Sequence, residues 1–199
     1  MSYRELSLWS FLAKMASNRS TPAGGSAAAV TGAMAAALLA KMGRLALRRR
    51  SGEAFQEEGG GLSDLVVEAE ALRRRLIALA HADAQVYRIA SNLRQSEGTA
   101  AQEIEAAWQE TVSVPLQIAA GCERLLQLAK TLHLAGLAAA DVQAVLVLAR
   151  ACIEVQLLNA TLNLSRLKTP HFRLASEKKL KSLRQRLAND AFMDSVHSS

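Results

Sequence analysis

Three groups of residues have types and spacings suited to chemistry. The first is the stretch Ser20-Thr21-Pro22-Ala23-Gly24-Gly25-Ser26-Ala27-Ala28-Ala29. Pro22 fixes its own φ and biases Thr21 toward extended backbone. Gly24 and Gly25 carry no Cβ, so a ligand can approach their backbone closely, or the chain can take positive φ there. Ser26 reads as a helix N-cap. No charge follows from Ala27 to Ala40, as expected of a turn feeding a buried helix. Such a helix end offers free N–H groups and a partial positive charge to an anionic or polar ligand. A tight turn before a core helix is the plainer reading of the same residues.

The second group is a pair of carboxylates. Asp83 falls among Leu65, Ala69, Leu72, Leu76, Leu79, Val86, Tyr87 and Ala90, which lie on or near one broad helical face. A carboxylate there is costly unless it is paired or functional. It is either a structural partner of His81, Arg88 or a neighbouring helix end, or a general acid–base group with a raised pKa. Asp141 is the second candidate, and plain helix capping is its other reading. The third group is Asn159 and Asn163, four residues apart on one helix face. They can offer paired hydrogen bonds to a ligand or make a polar contact between core helices. Cys122 and Cys152 form no CxxC pattern and the four histidines are scattered. Buried free thiols and no metal site are expected.

The elements that must position these residues are helices. Half of the 199 residues are apolar, only 4% are aromatic, and Pro occurs three times. A core of Ala, Leu and Val in an all-α, single-domain bundle of five to six long, Ala-rich, partly kinked helices follows. Helices are expected at about Glu5–Ser17, Ala27–Arg49, Ser63–Leu93, Thr99–Leu132, Asp141–Leu167 and Ser176–Asn189. The first should bury Leu6, Trp9, Leu12, Ala13 and Ala16. The second carries small residues that let its neighbours come close. Thr99 with Gln102 suggests a capping box, Pro115 a kink, and Pro170 the end of the fifth helix. Breaks are expected over 51–61 and around Gly136.

The net charge is +6. The basic runs, Arg48-Arg49-Arg50, Arg73-Arg74-Arg75 and Lys178-Lys179, have no interleaved aromatics. They read as solvated faces or as contacts for an anionic small molecule, and nucleic acid is not expected. The uncharged run over Ala27–Ala40 is shorter than the ~20 residues of a membrane span, so no membrane is expected. The polar start and the free thiols suggest a cytoplasmic protein. Ala-rich helices bury little area each, which predicts a homodimer.

Phe11-Leu12-Ala13-Lys14-Met15-Ala16-Ser17 followed by Thr21-Pro22-Ala23-Gly24-Gly25-Ser26-Ala27-Ala28-Ala29 resembles the cyclodeaminase domain of formiminotransferase-cyclodeaminase. That family includes the stand-alone methenyltetrahydrofolate cyclohydrolases. Asp83-Ala84-Gln85-Val86-Tyr87, Val114-Pro115-Leu116, Ala140-Asp141-Val142 and Asn159-Ala160-Thr161-Leu162-Asn163 follow in the same order, from Leu12 to about Phe172. The resemblance implies an all-helical dimer acting on a tetrahydrofolate derivative as substrate. The reaction would be loss of ammonia from the 5-formimino compound or addition of water to the methenyl compound. On this reading Asp83 and Asp141 are the catalytic candidates. Pro22, Gly24, Gly25 and Ser26 would border the folate, Asn159 and Asn163 would hold a pterin edge, and Arg48 would meet the anionic glutamate tail. Two departures stand out. Ala23 replaces the first glycine of the family's loop, and Ala46-Leu47-Arg48-Arg49-Arg50-Ser51-Gly52 alters the segment after the second helix. A non-catalytic helical homodimer with the same fold is the competing reading.

Overall fold

The computed structural model describes residues 2–50, 61–134 and 140–189. Among them the chain is helical throughout. A 3-10 turn at Tyr3–Glu5 precedes α1 (Leu8–Met15), α2 (Gly24–Arg50), α3 (Gly61–Gln95), α4 (Ala101–Leu134), α5 (Ala140–Leu164) and α6 (Pro170–Ala188). The all-α architecture matches the expectation from composition. Of the break expected over 51–61, only Gly61 is described, and it opens α3; the rest of that break and the one around Gly136 lie outside the described residues.

The four long helices form a closed ring, with α2 on α3, α3 on α4, α4 on α5 and α5 back on α2. Successive helices run antiparallel, as short connections favour. The starts of α2 and α4 therefore share one end of the bundle with the finishes of α3 and α5. The 3-10 turn lies on α3, and α6 lies across α4 and α5.

Small residues on α2 make the ring tight. Ala29, Ala35, Ala36 and Ala40 are fully buried with Leu39. A Cβ on Gly32 would lie 2.6 Å from Cys122 Sγ and 3.2 Å from Cys152 Sγ. Both thiols are free and buried. Their hydrogen bond, and then burial, push the Cys122 thiol far above its ordinary range. The helix α2 runs unbroken past Lys41, so its length does not set it apart from a membrane span. Both α2 and α5 are long and apolar enough to cross a bilayer, but about half of each apolar stretch is buried inside the bundle.

Several local expectations are corrected. Trp9 and Leu12 do not face the core: Trp9 is 81% exposed, and Leu8 and Leu12 are exposed beside it. The short α1 docks instead through Phe11, whose ring meets Tyr3 edge-on at 5.2 Å. Thr99 does not cap α4. Its hydroxyl donates to Ser96 O, and the first amides of α4 donate to Ala100 O. Gly98 makes the turn before it at φ +77°, where a side chain would be strained. Pro170 opens α6 instead of closing α5, because its fixed φ suits a first helical position that needs no N–H. The Glu105 carboxylate accepts from the amides of Lys168 (2.9 Å) and Thr169 (2.8 Å) just ahead of it.

Pro115 sits inside α4. Lacking an N–H, it leaves Thr111 O without its usual helical donor four residues on. Asn163 Nδ2 donates to that oxygen from α5 at 2.9 Å. The proline thereby creates an acceptor that fixes Asn163 in place. Asn163→Ala should cost about 1–3 kcal/mol, the scale for a buried polar group left unpaired. In a Pro115→Ala background the helix supplies its own donor, and denaturant melts of the double-mutant cycle should show that cost largely gone.

Candidate active site

The site is built at the ring's shared end, and its first component is the N-terminus of α2. The helix begins at Gly24, with Ala27 N–H donating to Ala23 O. Ser26 is therefore not the N-cap but a residue of the first turn, and it is fully buried. Its hydroxyl donates to Asp83 Oδ2 of α3 at 3.0 Å, and its amide also bonds the same carboxylate. Asp83 thus occupies the electropositive helix end that the sequence offered to an anionic ligand.

This approach requires Gly25. A Cβ there would lie 2.7 Å from both carboxylate oxygens of Asp83 and 2.8 Å from Asn159 Nδ2. The groups that come close to the glycine backbone are side chains of α3 and α5. No positive φ is needed at Ala23, Gly24 or Gly25, so Ala23 fits without strain. From α5, one turn ahead of Asn159, buried Gln156 donates through Nε2 to Gly25 O at 2.8 Å. Its Oε1 has no hydrogen-bond partner among the described residues.

Of the partners considered for Asp83, His81, Arg88 or a neighbouring helix end, it takes the last, the first turn of α2, and no cation pairs with it among the described residues. Burial pushes its carboxyl above the ordinary value of 3.8, against the two bonds from Ser26 that lower it. The Tyr3 hydroxyl faces Ser26 and Asp83. Burial raises its pKa first, the Ser26 contact lowers it, and the Asp83 charge raises it further.

These groups open onto a cavity of about 420 Å³. Asp83, Asn159 and Asn163 line it, with Gly24, Gly25 and Arg166. The Arg166 guanidinium stacks 4.6 Å over the ring of Trp108, and Tyr87 meets that ring edge-on at 6.0 Å. The size suits a small organic ligand. A titratable carboxylate, two amides and a guanidinium then converge on a pocket with the Tyr87 ring in its wall. That set can move a proton and orient a planar, hydrogen-bonding heterocycle.

The sequence model of the formiminotransferase-cyclodeaminase family matches residues 7–182. The chain belongs to that family. Among curated proteins it is 29% identical over 127 residues to the methenyltetrahydrofolate cyclohydrolase of Methylorubrum extorquens, covering 60% of each. The match thus spans about three fifths of that relative. The crystal structure of formiminotetrahydrofolate cyclodeaminase from Thermotoga maritima superposes with a TM-score of 0.81 at 23% identity. The superposition covers 93% of this chain and 91% of that one, and it shows that the two share a fold.

Within this formiminotransferase-cyclodeaminase fold the candidate residues separate. Asp83, Gly24, Gly25, Asn159 and Asn163 line one cavity, with Ser26 buried behind them, while Pro22 lines a second cavity across the loop. Asp141 is not among them. It lies in the first turn of α5, eighteen residues before Asn159 and so about 27 Å away along the helix. There it pairs with Lys41 at 3.3 Å. Arg48 is exposed, twenty-two residues beyond Ser26 and about 33 Å along α2. No cluster of three or more His, Cys, Asp or Glu suited to a metal occurs among the described residues.

The sequence reading missed Tyr3, Trp108, Gln156 and Arg166. Gln156 had a signal: with Asn159 and Asn163 it makes a polar stripe, at intervals of three and four, along one face of α5.

Two glycine variants separate packing from ligand access. Gly25→Ala should displace Asp83 and Asn159 and cost about 1–3 kcal/mol, as overpacking does. Gly24→Ala, whose Cβ meets nothing within 4 Å, should melt no lower than the wild type. Asp83→Asn tests the buried charge. A carboxyl raised in the folded state gives stability that is complete below its unfolded pKa and lost as pH rises through the folded one. Asp83→Asn should therefore melt above the wild type at neutral pH, with the difference vanishing below about pH 3.8.

Proposed function

We propose that the protein is a methenyltetrahydrofolate cyclohydrolase, with Asp83 as its general base. The observation that carries this reading is Asp83 itself, a half-buried carboxylate with no cation partner among the described residues, lining a heterocycle-sized cavity together with two asparagines. The family membership and the name of the curated relative supply the substrate class.

In this reaction a water oxygen attacks the methenyl carbon and loses a proton to Asp83. One ring nitrogen is then released from the tetrahedral carbon, leaving the formyl group on the other. A carboxyl whose pKa is raised can return its proton to that leaving nitrogen. Asn159 and Asn163 would orient the pterin. Asn163 spends its NH₂ on Thr111 O, which leaves its carbonyl oxygen for a ligand donor. Arg166 would contribute a polar edge at the cavity wall. Loss of ammonia from 5-formiminotetrahydrofolate would need the opposite proton movement, from a protonated Asp83 to the departing nitrogen. Ala23 takes no positive φ, so its place where the family has glycine carries no backbone strain, which removes one ground for the non-catalytic alternative.

Loss of methenyltetrahydrofolate absorbance tests the assignment. Asp83→Asn should lower turnover at least ~10²-fold, the lower scale for general acid–base catalysis, while substrate binding and folding persist. The wild-type rate should rise with pH through the raised Asp83 pKa and then level off, and this limb should be absent in the variant. A folded Asp83→Asn protein with full turnover would remove Asp83 from the chemistry.

A homodimer is part of the same proposal. Leu8, Trp9 and Leu12 form an exposed apolar strip on α1, and Leu158 and Leu162 another on α5. Contiguous apolar surface of this kind is commonly covered by a partner. Sedimentation at micromolar concentration should show twice the 21.3 kDa chain mass.

A further inference from the structure

A second cavity, of about 480 Å³, opens on the other side of the loop before α2. Its lining includes Lys14, Arg19 and Arg88, together with His81, and no Asp or Glu among the described residues. Elsewhere the bundle pairs many of its cations. Arg124 grips Glu68 with two bonds of 2.7 and 2.8 Å, Arg44 and Arg73 share Glu70, and Arg186 holds Glu123. None of Lys14, Arg19 and Arg88 makes an ion pair among the described residues. His81 Nδ1 is buried and has no hydrogen-bond partner among the described residues, while its ring is held edge-on against Tyr3 at 5.0 Å. Three positive charges and an unused polar nitrogen thus surround a concave space with no protein anion in it.

We propose that this cavity is an oxyanion subsite, in which Lys14, Arg19 and Arg88 hold carboxylate or phosphate oxygens. Such groups are bound most strongly where several cations converge and no acidic side chain competes. Ser20 and Thr21 line both this cavity and the Asp83 cavity. A ligand with a ring at one end and carboxylates at the other can therefore lie across the loop with an end in each. If the Asp83 cavity takes a folate, the oxyanion is the glutamate end of that molecule, and Lys14, Arg19 and Arg88 replace the distant Arg48 in that role. That identification rests on the proposed function; the oxyanion chemistry does not. The other source is a small free anion bound independently.

The test uses Arg88→Gln and Lys14→Gln, singly and together, in the full chain. Turnover is measured on 5,10-methenyltetrahydrofolate and on the analogue lacking the glutamyl residue. Inorganic phosphate and glutarate are titrated calorimetrically into each protein. If the subsite holds the tail, each variant should raise KM for the glutamate-bearing substrate about tenfold, the scale of one lost charge-assisted contact. The value of kcat and the KM of the truncated analogue should stay unchanged. Wild-type KM should also rise with salt, and less so in the variants. Phosphate or glutarate binding that the variants lose, without competition against methenyltetrahydrofolate, would assign the subsite to a free anion. A wild type that turns over neither substrate would overturn the folate reading, and the two titrations would still decide the subsite. Unchanged KM values together with no phosphate or glutarate binding to the wild type would overturn the proposal.

Discussion

The contact between the Asp83 carboxylate and the first turn of α2 is the constraint on which the rest of the site depends. Ser26 offers its amide and its hydroxyl to one carboxylate, and the missing Cβ of Gly25 lets that carboxylate and Asn159 reach the helix end. Gln156 holds the same glycine from behind through its carbonyl. Helices α2, α3 and α5 are thus tied at one point by polar contacts whose partners are 57 and 131 residues apart in sequence. The apolar ring below carries the stability of the bundle, and this polar knot sets its register at the working end.

The sequence revealed the ring more readily than the knot. Apolar periodicity is local, so the helices of α2 to α5 and the small-residue face of α2 could be read directly. Asp83 and the two asparagines stood out because polar groups on apolar faces are costly. Tyr3 and Arg166 gave no such signal, since a tyrosine and an arginine near helix ends are ordinary surface residues. Only the tertiary fold brings them to the cavities. The apolar spacing on α1 pointed the wrong way, because Trp9 and Leu12 form a periodic strip that the single chain does not cover. Periodicity shows that a face is apolar and is silent about which surface covers it. Asp141 and Arg48 lie apart from the cavity for a related reason: each is on a helix that reaches it, but far along that helix.

Pro115 shows how a local defect becomes part of the site. A proline inside a helix is expected to weaken it, and by removing a donor it exposes one carbonyl. In α4 that carbonyl belongs to Thr111, on the cavity wall, and Asn163 answers it. The amide of Asn163 is then oriented by the backbone, with no need of a second polar side chain. Holding a cavity-lining residue through the scaffold in this way fixes its geometry in advance of any ligand.

The electrostatics of the two cavities complement each other. Asp83 is half-buried with no cation partner among the described residues, so its charge is held by hydrogen bonds and the helix end, and desolvation raises its proton affinity. A cation such as Arg88 beside it would stabilise the ionised form and weaken it as a base. In this fold Arg88, one and a half helical turns beyond Asp83 on α3, lines the other cavity with Lys14 and Arg19. The loop from Ser20 to Pro22 separates the two. The three cations of the second cavity are thereby kept away from the carboxylate whose proposed role as a base depends on its raised proton affinity.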